Sequence, residues 1–381
     1  MKKFLGLVFF AAVGHACFAQ VEGTVNTVLL QPFTVEKSIL ATPVKNQAYT
    51  GTCWCFSTTS LVESQCLKKN LGEMDISEMF TVRNIYIEKA KNYLLRQGHA
   101  QFGEGGLGHD LIRAIATYGA IPENVYSGLK SGQKMHNHGK LVVALQQFLD
   151  SVLKLHPVPQ NWLAAYTDIL DQALGQPPVS FDYNGKQYTP VSFSKELLKF
   201  DANEYVNITS FTHHPYYQPF IIEVPDNFSN GSYYNLPLDE MIQVTKEAIK
   251  GGYTVLWDAD VSNGGFMQGL GAALYYDSVA IKKDKYGVSR GKVAESNWDA
   301  NIRQSLYENL TTQDDHLMHI TGLEKSPEGK TFFIVKNSWG NIGPNHGYIN
   351  VSEAYFAINT ISLIIPKAGL SKELLTKLGI K

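Results

Sequence analysis

Cysteine is scarce in this chain, with four residues among 381, at positions 17, 53, 55 and 66. That excludes a disulfide-stapled scaffold, because such scaffolds are short and dense in cysteine. Charge of one sign is also lacking. The 33 Lys and Arg stand against 35 Asp and Glu, for a net charge of −2, so no bulk attraction draws the chain to nucleic acid or to an anionic membrane. No apolar run approaches the roughly 20 residues a transmembrane helix needs, and there is no internal repeat, low-complexity tract or long run of like charge. What remains is an ordinary globular composition, 44% hydrophobic and 18% charged. The length is generous for one compact domain and sufficient for two lobes sharing a cleft.

The first residues read as a leader rather than as part of the fold. Lys2 and Lys3 precede an apolar run over 4–13, and the small residues Cys17 and Ala19 fit a signal-peptidase site before Gln20. A lipid anchor on Cys17 would need a leading Leu that Gly14-His15-Ala16-Cys17 lacks. The expectation is a signal peptide over 1–19 and an exported mature chain, periplasmic or extracellular, with no membrane anchor. Cys53, Cys55 and Cys66 then remain, an odd number in an oxidising compartment. On one helix Cys55 and Cys66 would lie roughly 16 Å apart, too far to bridge. Free thiols in such a place call for a chemical reason.

Periodicity predicts a helix over 53–71 with Thr52 as its cap, a second opening at Asp75 or Ser77 and running to 95, and a third over 110–118 closed by Gly119. A glycine-rich loop over 103–108 separates the last two. Helical spacing returns over 140–155, while 177–220 reads as loops and short strands. Beyond a helix over 239–250, strands are expected over 253–257, 316–323, 331–335, 347–351 and 361–365. The division that follows is a helical lobe over 20–135, an insertion over 136–250 and a β-rich lobe over 251–381.

Cys53 stands at a helix start, where the dipole and unpaired amides stabilise a thiolate. By itself that position does not separate a nucleophile from a small buried hydrophobe. Around it the chain reads Gln47-Ala48-Tyr49-Thr50-Gly51-Thr52-Cys53-Trp54-Cys55-Phe56-Ser57. Downstream, Asp315-His316-Leu317-Met318 opens one strand and Lys336-Asn337-Ser338-Trp339-Gly340 ends another, while Gly103-Glu104-Gly105-Gly106 lies between. These four segments, in this order, resemble the papain-like cysteine peptidases. The resemblance implies an α+β two-lobed fold, a helical lobe plus a β-barrel-like lobe, here with a long insertion. It also implies Cys53 as nucleophile, His316 as its base, Asn337 as the group orienting His316, and Gln47 with the Cys53 N–H as oxyanion donors. Gly105, Gly106 and Trp339 would line the substrate cleft.

His316 follows Cys53 by about 260 residues, against roughly 130–150 in plain papain-like enzymes, so the resemblance is confined to about 40–130 and 250–365. Thr50 and Gly103 replace a cysteine pair of the plain family. With the Thr-Gly-Thr-Cys-Trp run and the Thr311-to-Gly322 segment, this resembles the bleomycin hydrolase and aminopeptidase C branch, whose C-terminal arm enters the cleft. Ile380 and Lys381 would be that arm. The implied substrates are peptides cut from the amino end, with no cofactor, no metal and no nucleic-acid partner; a homo-oligomer stays open. Two rivals also stay open: an inactive binding protein on the same fold, or an endopeptidase of the same family.

Other residues take bland readings. His319, three positions after His316 on a strand, faces the opposite side. His136, His138, His213 and His214 read as loop residues, Trp54 and Phe56 as packing, and Asp260 as a candidate for facing the cleft.

Overall fold

The computed structural model describes residues 33–276 and 295–381; the expected leader and Cys17 lie outside them. Helix α1 (Cys53–Lys68) is buried on nearly every face, including Trp54, Cys55, Leu61, Val62 and Cys66. Its lack of amphipathic character follows from its place at the centre of the molecule, with apolar and small polar residues all round. Helices α2 (Glu78–Leu95) and α3 (Gly108–Tyr118) pack on it. Ser77 Oγ accepts from Phe80 N and caps α2. Gly108 allows α3 to meet the sheet, since a Cβ there would stand 2.1 Å from Leu256 Cδ2.

Against these helices lies one long sheet. Strands β1 (Thr34–Ser38), β4 (Tyr205–Thr209), β5 (Pro219–Ile221), β6 (Ser232–Asn235), β7 (Val255–Ala259), β8 (Phe266–Met267), β9 (Ala272–Ala273), β10 (His316–Lys325), β11 (Thr331–Lys336), β12 (Tyr348–Ser352) and β13 (Thr360–Pro366) belong to it. Their order is β5-β6-β4-β13-β7-β10-β11-β12-β9-β8, with β1 added on β10. β2 (Phe181–Tyr183) and β3 (Lys186–Tyr188) form a separate hairpin. Alternation along the strands builds a core on each face. Leu256, Leu317 and Ile364 face the helical lobe. Val255, Trp257, Met318, Ile320 and Leu363 face the other way, onto α7 (Leu238–Lys250), among others.

The expected insertion is not a body of its own. α4 (Gly139–Leu153) and α5 (Trp162–Leu174) place Leu145, Leu149, Tyr166 and Leu170 in the helical core. β4 and α7 complete the other core. Several elements depart from the sequence expectation by existing at all: β1, α5, α6 (Pro190–Glu196), β6, β8, β9, α8 (Ala300–Glu308) and α9 (Glu353–Asn359). Near the end of the chain a short helix, α10 (Lys372–Lys377), is capped by Ser371 Oγ, which accepts from Leu374 N.

The end of the chain corrects an expectation. Leu374, Leu375, Leu378 and Ile380 pack into the core on the far face of the sheet. Lys377 pairs with Glu240 at 3.6 Å, and the Lys381 carbonyl accepts from Lys367 Nζ. Ile380 and Lys381 therefore lie with the β-rich lobe rather than in the cleft. Burial of the leucine face outweighs whatever the cleft offers, since so short a helix persists only when docked.

Candidate active site

α1 begins at the junction of the two lobes, so Cys53 sits in its first turn facing the start of β10. Two bonds fix that approach. Ser57 Oγ, one turn along, donates to Leu317 O at 2.5 Å, and the Leu317 N–H supports the Cys53 thiolate. Leu317 directly follows His316, so the thiol lies against the stretch of β10 backbone that carries the imidazole.

The orientation of His316 is settled by a relay of side chains. Gln268 Nε2 donates to Tyr348 O at 3.2 Å, which directs Gln268 Oε1 toward Asn337 Nδ2 at 3.0 Å. Asn337 Oδ1 then faces His316 Nε2 at 2.7 Å and also accepts from Ser338 N. A carbonyl oxygen only accepts, so Nε2 carries a proton and neutral His316 keeps its lone pair on Nδ1. Trp339 covers this pair, its ring 4.6 Å from the imidazole between centroids and tilted by 32°. Trp339 is thus a shield over the imidazole, with Phe266 edge-on behind it.

Gln47 is equally constrained. Ser338 Oγ donates to its Oε1 at 2.6 Å, and its Nε2 donates to Thr50 O at 2.7 Å. One Nε2 hydrogen remains. The Cys53 N–H belongs to the first helical turn, whose amides have no intrahelical acceptor. Gly340 closes the segment in left-handed backbone, φ +74°, beside Asn46. Each residue from Asn337 to Gly340 therefore has a separate positioning task.

Burial works against charge on each member taken singly, pushing the Cys53 thiol up to about 12 and His316 down to about 4. The helix start and the Leu317 N–H act in the opposite sense on the thiol, and Asn337 does so on the imidazole. Cys55 and Cys66 are free, buried and also raised by burial.

The absent cysteine pair has a substitute. Gly51 N donates to Glu104 Oε2 at 2.6 Å and Trp54 Nε1 to Glu104 O at 3.0 Å, so Glu104 ties the nucleophile loop to the glycine-rich loop. Gly106 lies against the Trp54 ring, where a Cβ would come to 3.1 Å. Gly105 lies against Asp226, a residue of the expected insertion to which no motif pointed. Gln268 was likewise invisible in the sequence, since nothing local distinguishes it.

Other expectations divide. His319 faces α1 as its spacing predicts, with Nδ1 2.9 Å from Ser60 Oγ. Asp260 does not face the cleft: it is buried, and its carboxylate takes Ser262 N at 2.9 Å and Gln313 N at 3.1 Å, knitting two loops. His138 is buried rather than a loop residue at the surface, with Nδ1 3.0 Å from Tyr86 Oη. Thr52 occupies the α1 cap position without capping; its hydroxyl meets Thr50 Oγ1 at 2.6 Å. His213, His214 and Glu223 converge within 4.8 Å and have metal-ligating side chains. However, Gln304 Nε2 donates to His213 Nδ1 while its Oε1 is held by Thr212 N. His213 Nε2 then carries the proton and donates to Glu223, so the cluster is complete as a hydrogen-bonded one.

Comparison with known proteins agrees with this geometry. The model of the Peptidase C1-like family matches residues 99–380, and that of the Papain family cysteine protease matches 33–83. Cys53 falls in the second span, His316 and Asn337 in the first. Aminopeptidase C of Listeria innocua is 25% identical over 97% of this chain and 90% of its own length. Bleomycin hydrolase of Mus musculus is 23% identical over 88% and 82%. The crystal structure of PepW from Lactobacillus rhamnosis superimposes with a TM-score of 0.74 at 22% identity, covering 92% of this chain and 86% of that one.

Proposed function

Because the chain belongs to the peptidase C1-like family, we propose that it hydrolyses peptide bonds from the amino end, with Cys53 as nucleophile and His316 as its base. The observation that carries this is the relay from Gln268 through Asn337 to His316, which leaves Nδ1 as the free basic nitrogen of the residue next to Leu317, whose N–H reaches the Cys53 thiol.

In this mechanism Cys53 Sγ attacks the scissile carbonyl carbon as its proton passes to His316 Nδ1. The oxyanion is met by the Cys53 N–H and the remaining Gln47 Nε2 hydrogen. The C–N bond then breaks, and His316 returns the proton to the leaving amine. Water, deprotonated by the same nitrogen, attacks the thioester; the acid leaves and the thiol is restored. Asn337 keeps the imidazole in register through both halves. The names of the relatives support an amino-end preference. Export is part of the proposal and rests on the leader alone.

The test is hydrolysis of alanyl-coumarylamide by purified protein. Cys53→Ala must abolish it; turnover unchanged in that variant overturns the mechanism.

A further inference from the structure

A peptide running along the Gly105–Gly106 wall meets an obstacle. A Cβ on Gly105 would lie 1.9 Å from Asp226 Oδ2 and 2.4 Å from its Cγ, so the Asp226 carboxyl rests directly on that backbone. Gly105 O is already taken by Lys89 Nζ. The wall is therefore closed at this point, and a substrate lying on it has to end there. A peptide that ends there presents its amino terminus, a primary ammonium with three donors.

Two further carboxyls lie on the same side. Asp258 sits on β7 directly opposite Leu317 in the ladder, the residue whose N–H reaches Cys53. Asp314 is two residues before His316. The Asp258 and Asp314 carboxyls meet each other, and Ser362 Oγ supplies Asp258 Oδ2 with its one donor at 2.9 Å. Asp258 Oδ1 and Asp314 Oδ2 are shut off from solvent and, among the described residues, have no donor other than a proton shared between the two carboxyls. Buried acceptors without donors are costly, and two facing carboxylates are more so. A single shared proton is the least that relieves them. Asp226 is near enough to act on both. Lys89 acts on Asp226 and Asp314 through its charge, while its hydrogen bonds go to the carbonyls of Gly103 and Gly105.

We propose that Asp226, Asp258 and Asp314 together seat the substrate's free ammonium group, so that Asp226 of the inserted segment, with two carboxyls of the β-rich lobe, imposes amino-end cleavage. The ammonium meets half-buried Asp226 at the wall and takes over from the shared proton as the charge that offsets Asp258 and Asp314 behind it, and that proton leaves to solvent. Asp226 is both the stop at Gly105 and the third counter-charge. The proposal rests on the aminopeptidase reading and adds the specificity-determining residues to it.

The experiment compares alanyl-, acetyl-alanyl- and acetyl-lysyl-alanyl-coumarylamide on wild type, Asp226→Asn and Asp314→Asn. Wild type should prefer the free amine. Both variants should lose about 10–100-fold in kcat/KM on it, the scale of one charged hydrogen bond, chiefly through KM. Hydrolysis of acetyl-alanyl-coumarylamide should hold or rise in the same preparations, which controls for folding; half-buried Asp226 serves as the readout if Asp314→Asn does not fold. Undiminished preference in both variants overturns the assignment, as does an equal loss on all three substrates. Strong cleavage of the acetyl-lysyl peptide that falls in the variants would assign the seat to a lysine side chain and overturn it too. Wild type inactive on all three would instead sink the peptidase reading itself.

Discussion

Ser338 Oγ donates to Gln47 Oε1 at 2.6 Å, joining the β-rich lobe to the loop that precedes the nucleophile. Its neighbour Asn337 holds His316 from the same turn of chain. Base and oxyanion donor are thus aligned by adjacent residues, and a movement of that turn displaces both.

Damage should therefore be graded. Cys53→Ala and His316→Ala are expected to lower kcat by about 10⁴-fold or more, and Gln47→Ala by about 10²–10³-fold. Gln268→Ala and Ser338→Ala act only through Asn337 and Gln47, and should cost roughly 3–30-fold in kcat with KM little changed. Ser338→Thr, which keeps the hydroxyl, should recover most of that loss. A Gln268→Ala enzyme with wild-type kcat would remove the relay from the mechanism.

Much of this site was legible because its chemistry sits in short segments. Cys53, His316 and Asn337 each lie in a run whose neighbours also have tasks: Trp54 on Glu104, Leu317 on Cys53, Ser338 on Gln47. The strands that carry them have the alternation of a sheet with a core on each face. What was not legible depends on contacts between distant residues. Gln268 and Asp226 have no local signature, and their roles exist only once the loops meet Asn337 and Gly105. α5 is a different case, since Leu163, Tyr166, Leu170 and Leu174 have helical spacing and the signal was present. The β2–β3 hairpin likewise turns at Asn184-Gly185, a pair with positive φ suited to a tight turn. α9 is seven residues long, too short for periodicity to show.

The mature exported chain should begin at Gln20 and show no intramolecular disulfide, since Cys55 and Cys66 are separately buried in α1. Intact mass with and without reductant checks both points. A two-dalton gain on reduction, or a start other than Gln20, would contradict one or the other.

Glu324 offers a pH test away from the cleft. It is buried in β10, its Oε1 has no hydrogen-bond donor, and burial raises its carboxyl from 4.5 to about 7. Between those values the folded state binds a proton that the unfolded state has released, so stability falls as pH rises through this window. Glu324→Gln cannot ionise. Its melting temperature should drop less than that of wild type between pH 5 and pH 8, and equal drops would show that Glu324 is not the group responsible.

Thiol labelling tests the dyad directly. A Cys53 thiol held up to about 12 by burial has almost no thiolate at pH 6 unless a base takes its proton. In the proposed mechanism that base is His316 Nδ1, since Asn337 occupies the other nitrogen. Cys55 Sγ donates to Glu78 O at 3.3 Å and Cys66 Sγ to Leu198 O at 3.9 Å, and both thiols are raised by burial. Limiting iodoacetamide at pH 6 should therefore label Cys53 and spare the other two, as read by peptide mass. In His316→Ala that labelling should fall about tenfold or more, because proton acceptance and charge pairing are lost together. Asn337→Ala should give an intermediate rate, since the imidazole stays but no longer holds its orientation. Equal labelling of the three thiols, or labelling of Cys53 indifferent to His316, would show that the imidazole does not activate it.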